Sequence, residues 1–248
     1  MEAQALSANE ALLLIGHGSA RYPDAASALQ GHAESLRREK RFDQVAVGLL
    51  NGGPSVAQAL ADIQTAVIRV VPFFMEDGYF TRVAVPRALG DRPVILCPPI
   101  GVHDGMARLI ERQARAGCAL LGTLPHTATL LIVGHGSARA PGRALALHRH
   151  AKSVTATGVF ASVTTACLEE APFVADALRE RRAHPVVVVG FFANRGGHVR
   201  DDLPALIAAE QAVRGPAGLA MRFHGSVSDD TAMTQIILDQ ALHDPRGE

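Results

Sequence analysis

The sequence predicts an α/β protein of two tandem domains, each a four-stranded parallel sheet with helices on both faces. Three observations predict this. The chain repeats itself once at domain length. Each copy alternates short apolar runs with stretches of helical periodicity. The apolar runs are continuous rather than alternating, as strands buried on both faces are.

The repeat is read directly. LLLIGHGSARYP begins at Leu12 and LLIVGHGSARAP at Leu130, and the shift of 118 residues holds without a gap. It lays Pro54 on Pro172, Phe73-Phe74 on Phe191-Phe192, Gly78 on Gly196, Arg82 on Arg200 and Pro86 on Pro204. A period this long is too large for a solenoid and fits a duplicated domain. The division is expected in the Gly- and Pro-bearing stretch 122–126, giving domains 1–125 and 126–248.

In the first copy, 11–15 reads as a buried strand running into Gly-His-Gly. Residues 23–41 read as a helix, with Leu29, Ala33 and Leu36 at helical spacing and Pro23 suited to the first turn. Strands follow at 45–50, 67–74 and 94–97, and helices at 54–65, 82–89 and 104–118. The second copy repeats the strands at 129–133, 160–168, 186–192 and 219–223. Right-handed crossovers then give two flavodoxin-like sheets, packed together as a pseudo-dimer; an order of 2-1-3-4 would make the first three strands neighbours.

Composition narrows the function. Lys+Arg and Asp+Glu are 24 each, so no whole-protein electrostatic grip on nucleic acid or an anionic membrane is expected. The longest apolar runs, such as 67–75, fall far short of the ~20 residues that span a bilayer. The N-terminus lacks the basic and apolar pattern of a signal peptide. Three cysteines without a CxxC argue against a disulfide framework and for a reducing, cytoplasmic setting. No GxGxxG follows the first strand and no Walker motif occurs, so no organic cofactor is implied. GHGS is not a G-x-S-x-G elbow, which weighs against a hydrolase.

In open α/β sheets, ligands bind beyond the carboxyl ends of the strands. In the second copy these ends carry His135, then Glu169 and Glu170, then Arg195, Gly196, Gly197 and His198. With order 2-1-3-4 the three strands are neighbours, so His135, one of the two glutamates and His198 converge. Two imidazoles and a carboxylate suit a borderline divalent metal and leave coordination positions open. The first copy keeps His17 but has Asn51, Gly52, Tyr79 and Phe80 where the second has Glu169, Glu170, Gly197 and His198. The second half is therefore the candidate site and the first a scaffold, unless its aromatic pair stacks on a flat ligand. Arg139, Arg195 and Arg200, with Ser137, sit in the site loops and suit carboxylates. Cys167 reads as core. His126, His148, His150, His184, His224 and His243 read as surface residues.

GHGSAR after an apolar strand, a glutamate before a helix-starting proline, and VVVVGFFANRGGHVRDDLP, with the pattern duplicated, together resemble the sirohydrochlorin chelatases in their long, two-domain form. The resemblance spans roughly 11–121 and 129–242 and implies fused domains facing each other across a cleft. It implies a lyase that inserts Co²⁺, or alternatively Fe²⁺, into sirohydrochlorin for cobalamin or siroheme synthesis. It makes His135 and His198 the paired metal-handling histidines and Glu169 their acidic partner. A non-catalytic metal or tetrapyrrole carrier on the same fold is the competing expectation. Monomer and homodimer are both compatible with the sequence.

Overall fold

The computed structural model describes residues 9–19, 22–181, 183–194, 196–215 and 218–243, without the side chains of Pro23, Ala25, His198 and Val199. The first sheet comprises β1 (Glu10–Gly18), β2 (Gln44–Asn51), β3 (Val67–Pro72) and β4 (Ile95–Leu96). The second comprises β5 (Thr129–Gly134), β6 (Ser162–Cys167), β7 (Val186–Gly190) and β8 (Met221–Ser226). Their orders are β2-β1-β3-β4 and β6-β5-β7-β8, and every pairing is parallel. The expected fold class is found, and the order is the one that makes the first three strands of each sheet neighbours.

The helices are α1 (Ser27–Glu39), α2 (Val56–Ala61), α3 (Val85–Leu89), α4 (Gly105–Leu121), α5 (Leu145–Ala156), α6 (Val174–Glu180), α7 (Leu203–Arg214) and α8 (Met233–Leu242). Leu12 to Ile15 and Leu130 to Val133 are wholly buried, because helices cover both faces of each sheet. On one face of the first sheet, Leu13, Ile15 and Val70 pack with Val56, Leu60 and Val85. Leu131, Val133 and Val188 repeat this with Val174, Leu178 and Leu203. The helix expected over 54–65 is confined to α2. Ser55 closes it with a capping box, accepting from the Gln58 N–H while the Gln58 side chain accepts from the Ser55 N–H. The edge strand β6, Ser-Val-Thr-Thr-Ala-Cys, is exposed or half-buried over its first four residues.

The compact units differ from the sequence repeat by one helix each. Unit 1 comprises the described residues of 1–103 and 231–248, and unit 2 is 104–230. A cut near 125 therefore does not divide the chain into its compact units. In unit 2, α4 packs on α5, β7 and β8, burying Met106, Leu109, Ile110, Ala114 and Cys118. Gly117 makes this approach possible: a Cβ there would lie 2.6 Å from Val187 Cγ1. In unit 1, α8 packs on α1 and β3, and Arg69, ion-paired with Glu10 at 2.8 Å, donates to the Ala241 carbonyl.

Candidate functional site

Beyond the carboxyl end of β5 the chain turns at His135, and beyond β6 it turns at Glu169. Backbone bonds tie the turns together. The Glu169 N–H donates to the His135 carbonyl at 2.9 Å, and the Leu168 N–H is shared between the Gly134 and His135 carbonyls. Both side chains are half-exposed, and His135 Nδ1 lies 3.7 Å from Glu169 Oε2. The same Nδ1 lies 3.2 Å from the Gly136 carbonyl, which only accepts. The neutral ring therefore carries its proton on Nδ1 and its lone pair on Nε2, the tautomer that binds metal or accepts a proton through Nε2.

The sequence left two glutamates in competition, and their environments separate them. Glu170 is buried and accepts from the Gly142 N–H at 2.7 Å, clasping the loop after His135 to the end of β6. Gly136 adopts φ +70° against this clasp, and a Cβ there would lie 2.7 Å from both Cys167 Cβ and Glu170 Cγ. Ser137 accepts from the Ala140 N–H at 3.2 Å, a turn that Ser19 repeats with Tyr22 at 3.0 Å.

β7 lies on the other side of β5 from β6, so the chain leaving it returns to the same edge. There a π-helical turn, His198–Asp202, opens at His198. Such turns recur at functional sites. The His198 side chain and Arg195 lie outside the described residues. Among the described residues no three His, Cys, Asp or Glu side chains gather as a metal cage. Arg139 and Arg200 are exposed.

Unit 1 has the same architecture with different chemistry. His17 Nδ1 bonds the Gly18 carbonyl at 2.8 Å, as His135 does its own neighbour. The equivalent π-helical turn, Phe80–Ala84, opens at Phe80. The Phe80 ring stands edge-on to His17, with centroids 4.7 Å apart and planes at 87°. An Asp77 network holds this turn. Thr81 Oγ1 donates to Asp77 Oδ1 at 2.7 Å and accepts from the Gly78 N–H, and Arg82 donates to Asp77 Oδ2 at 2.8 and 3.1 Å. The Arg82 hydrogen bond keeps the Asp77 carboxyl below the usual carboxylate range, against the effect of burial.

Sequence reasoning did not anticipate the Asp77 network or the Glu170 clasp, since neither has a periodic signal. It also misplaced His150, which is 1% exposed and packs against Phe191 with ring centroids 5.6 Å apart. The signal was available in the repeat. His32 is its equivalent, is also buried, and lies 5.9 Å from Phe73, the residue equivalent to Phe191. Two histidines that pair with the same phenylalanine in both copies are interior residues. Cys97, Cys118 and Cys167 are all buried, as expected for Cys167.

Fold and site together define a duplicated α/β protein with a histidine–carboxylate edge retained in one copy. A family model described as CbiX matches residues 11–116 and 129–243, and the chain belongs to this family, the sirohydrochlorin chelatases, in its long two-domain form. A Halobacterium salinarum protein named "Probable sirohydrochlorin cobaltochelatase" is 28% identical over 223 residues, 79% of this chain and 75% of that protein. A Deinococcus radiodurans protein, DR2241, has a solved structure described as similar to chelatases with two additional novel domains. It superposes with a TM-score of 0.83 at 30% identity, over 98% of this chain. The present chain spans only 56% of that protein. SirB from Bacillus subtilis, solved with Fe³⁺, shares the fold, with a TM-score of 0.76 at 15% identity over 94% of each chain. CbiX from denitrifying bacteria, described as the terminal enzyme of siroheme biosynthesis, shares it with a TM-score of 0.70 at 24% identity, over 94% of this chain and 97% of that one.

Proposed function

We propose that this chain is a sirohydrochlorin chelatase that inserts a divalent metal, Co²⁺ in preference to Fe²⁺, from a site in its second half. The observation that carries the reading is His135 standing 3.7 Å from Glu169 at the sheet edge to which the chain leaving β7 also returns. The metal is a substrate. It enters as a dication and two pyrrole N–H protons leave, so the net charge of the macrocycle is unchanged. His135, with its lone pair on Nε2, and His198 supply neutral imidazoles that hold the incoming metal or accept those protons. Glu169 offsets the metal's charge and relays a proton. Ser137, Arg139, Arg195 and Arg200 receive the carboxylates that rim sirohydrochlorin. The reaction is a lyase reaction placed in the cytoplasm, where buried thiols such as Cys97 and Cys118 stay reduced. No helix among the described residues is long and apolar enough to cross a membrane.

The test is metallation of sirohydrochlorin followed by absorbance, with Co²⁺ or Fe²⁺, for wild type, His198→Ala and His17→Ala against a no-enzyme control. Turnover is expected of wild type, lost in His198→Ala and largely kept, at saturating pigment, in His17→Ala. Metallation no faster than the control, with stoichiometric binding of metal or pigment, would replace the enzyme with a carrier.

A further inference from the structure

The first copy's counterpart of the metal edge has exchanged donor atoms for ring faces. Where the second copy has Glu169, Glu170, Gly197 and His198, unit 1 has Asn51, Gly52, Tyr79 and Phe80. The loss is not a relaxation into loose surface. Phe74 is buried and lies nearly parallel to Phe80, with centroids 5.7 Å apart and planes at 14°. Tyr79 and His17 both stand edge-on to Phe80, with centroids 5.6 and 4.7 Å away. The Asp77–Thr81–Arg82 network clamps the turn that carries both rings, and Thr81 is buried within it. Yet Tyr79 is 63% exposed and Phe80 41%. The chain has only 9 Phe, 2 Tyr and no Trp, and it places two of these rings side by side in solvent on a clamped turn.

Exposed rings held rigid lose little entropy on binding, and their faces favour flat conjugated partners. The edge of the sheet where they stand is the one at which open α/β folds bind ligands. We infer that Tyr79 and Phe80 form a stacking platform in unit 1 for the face of a flat, conjugated macrocycle. This rests on the chelatase reading and identifies the group that recognises the pigment rather than the metal. His17 acts here as the edge-on support of Phe80 and not as a metal ligand.

The experiment titrates metal-free sirohydrochlorin into the full chain without added metal, following pigment absorbance and fluorescence. The proteins are wild type, Tyr79→Ser, Tyr79→Phe, Phe80→Leu and His198→Ala, each checked for folding by circular dichroism. Tyr79→Ser is expected to weaken pigment binding about tenfold, the weight of one aromatic stacking contact. Tyr79→Phe, which keeps the ring, restores affinity. Phe80→Leu keeps an apolar side chain over Phe74 and still loses affinity. His198→Ala binds pigment like wild type while failing to metallate it. With Co²⁺ present, Tyr79→Ser raises KM more than it lowers kcat. Wild-type affinity in both Tyr79→Ser and Phe80→Leu overturns the platform while leaving the chelatase reading intact. So does unchanged pigment binding accompanied by a shift in sedimentation, which would make the rings a contact for a second copy. Failure of wild type itself to bind or metallate the pigment removes the chelatase reading, and the platform with it.

Discussion

Replacing Gly136 with alanine tests whether the loop after β5 is what places His135. Gly136 has φ +70°, where an L residue with a Cβ costs about 1–2 kcal/mol. The added Cβ also meets two carbons at 2.7 Å, Cys167 Cβ and Glu170 Cγ, and the Cys167 sulfur at 3.2 Å. Unstrained carbons sit about 3.5–4.0 Å apart. Both neighbours are buried, so neither can swing into solvent, and the turn itself must move. Overpacking of this kind adds about 1–3 kcal/mol, for a total of about 2–5 kcal/mol. Gly142→Ala is the control. Gly142 has φ +78° but nothing within 4 Å of a new Cβ, so it incurs only the conformational cost of about 1–2 kcal/mol. Denaturant unfolding followed by circular dichroism measures both, and calorimetric titration with Co²⁺ reports the site. Gly136→Ala is expected to be the less stable of the two and to lose metal affinity, because the displaced turn carries His135 and the carbonyl that anchors Glu169. Equal stability in the two variants would refute the steric argument. Lost stability with wild-type metal affinity would refute the claim that this loop positions the histidine.

Three further outcomes follow from named contacts. Glu170→Ala removes the buried acceptor of the Gly142 N–H and should cost about 1–3 kcal/mol in denaturant unfolding, while Glu170→Gln, which keeps an acceptor, should recover much of it. Burial, with Arg222 adding to it, pushes the His224 imidazolium below its ordinary value of 6.5. On acidification the unfolded chain takes up this proton first, so the group's contribution to stability is complete above about pH 6.5 and declines below it. The Tm of wild type should therefore fall more between pH 7.5 and 5.5 than that of His224→Gln, and equal falls would exclude His224 as a source. Burial raises the Cys97 thiol to about 11, against a smaller opposing effect of Arg69. At pH 8 only about 0.1% of Cys97 is thiolate, so the native protein should leave it unlabelled by iodoacetamide and the denatured protein should label all three cysteines.

By itself the sequence determined the fold class, the two-copy architecture and the strand ends that carry His135 and Glu169. These are legible because strand burial, the repeat and the position of a turn after a strand are local properties of the sequence. The repeat supplied an internal comparison in which Phe80 stands for His198. Only tertiary structure decided the rest. The apolar stripes of α4 and α8 do not by themselves name a sheet, because the two copies repeat one pattern of strands. Periodicity therefore cannot say that α4 belongs with β7 and β8 and α8 with β3. Glu169 and Glu170 are adjacent carboxylates, and composition assigns them the same role. The difference is that one faces the His135 turn while the other finds the Gly142 N–H in the interior, where an unpaired charge would be costly. His150 is buried for a related reason. A lone histidine reads as surface until a ring such as Phe191 is found packed against it. The exposed rings of Tyr79 and Phe80 stand on a turn held by the Asp77 network, a set of contacts that forms only once the turn has folded.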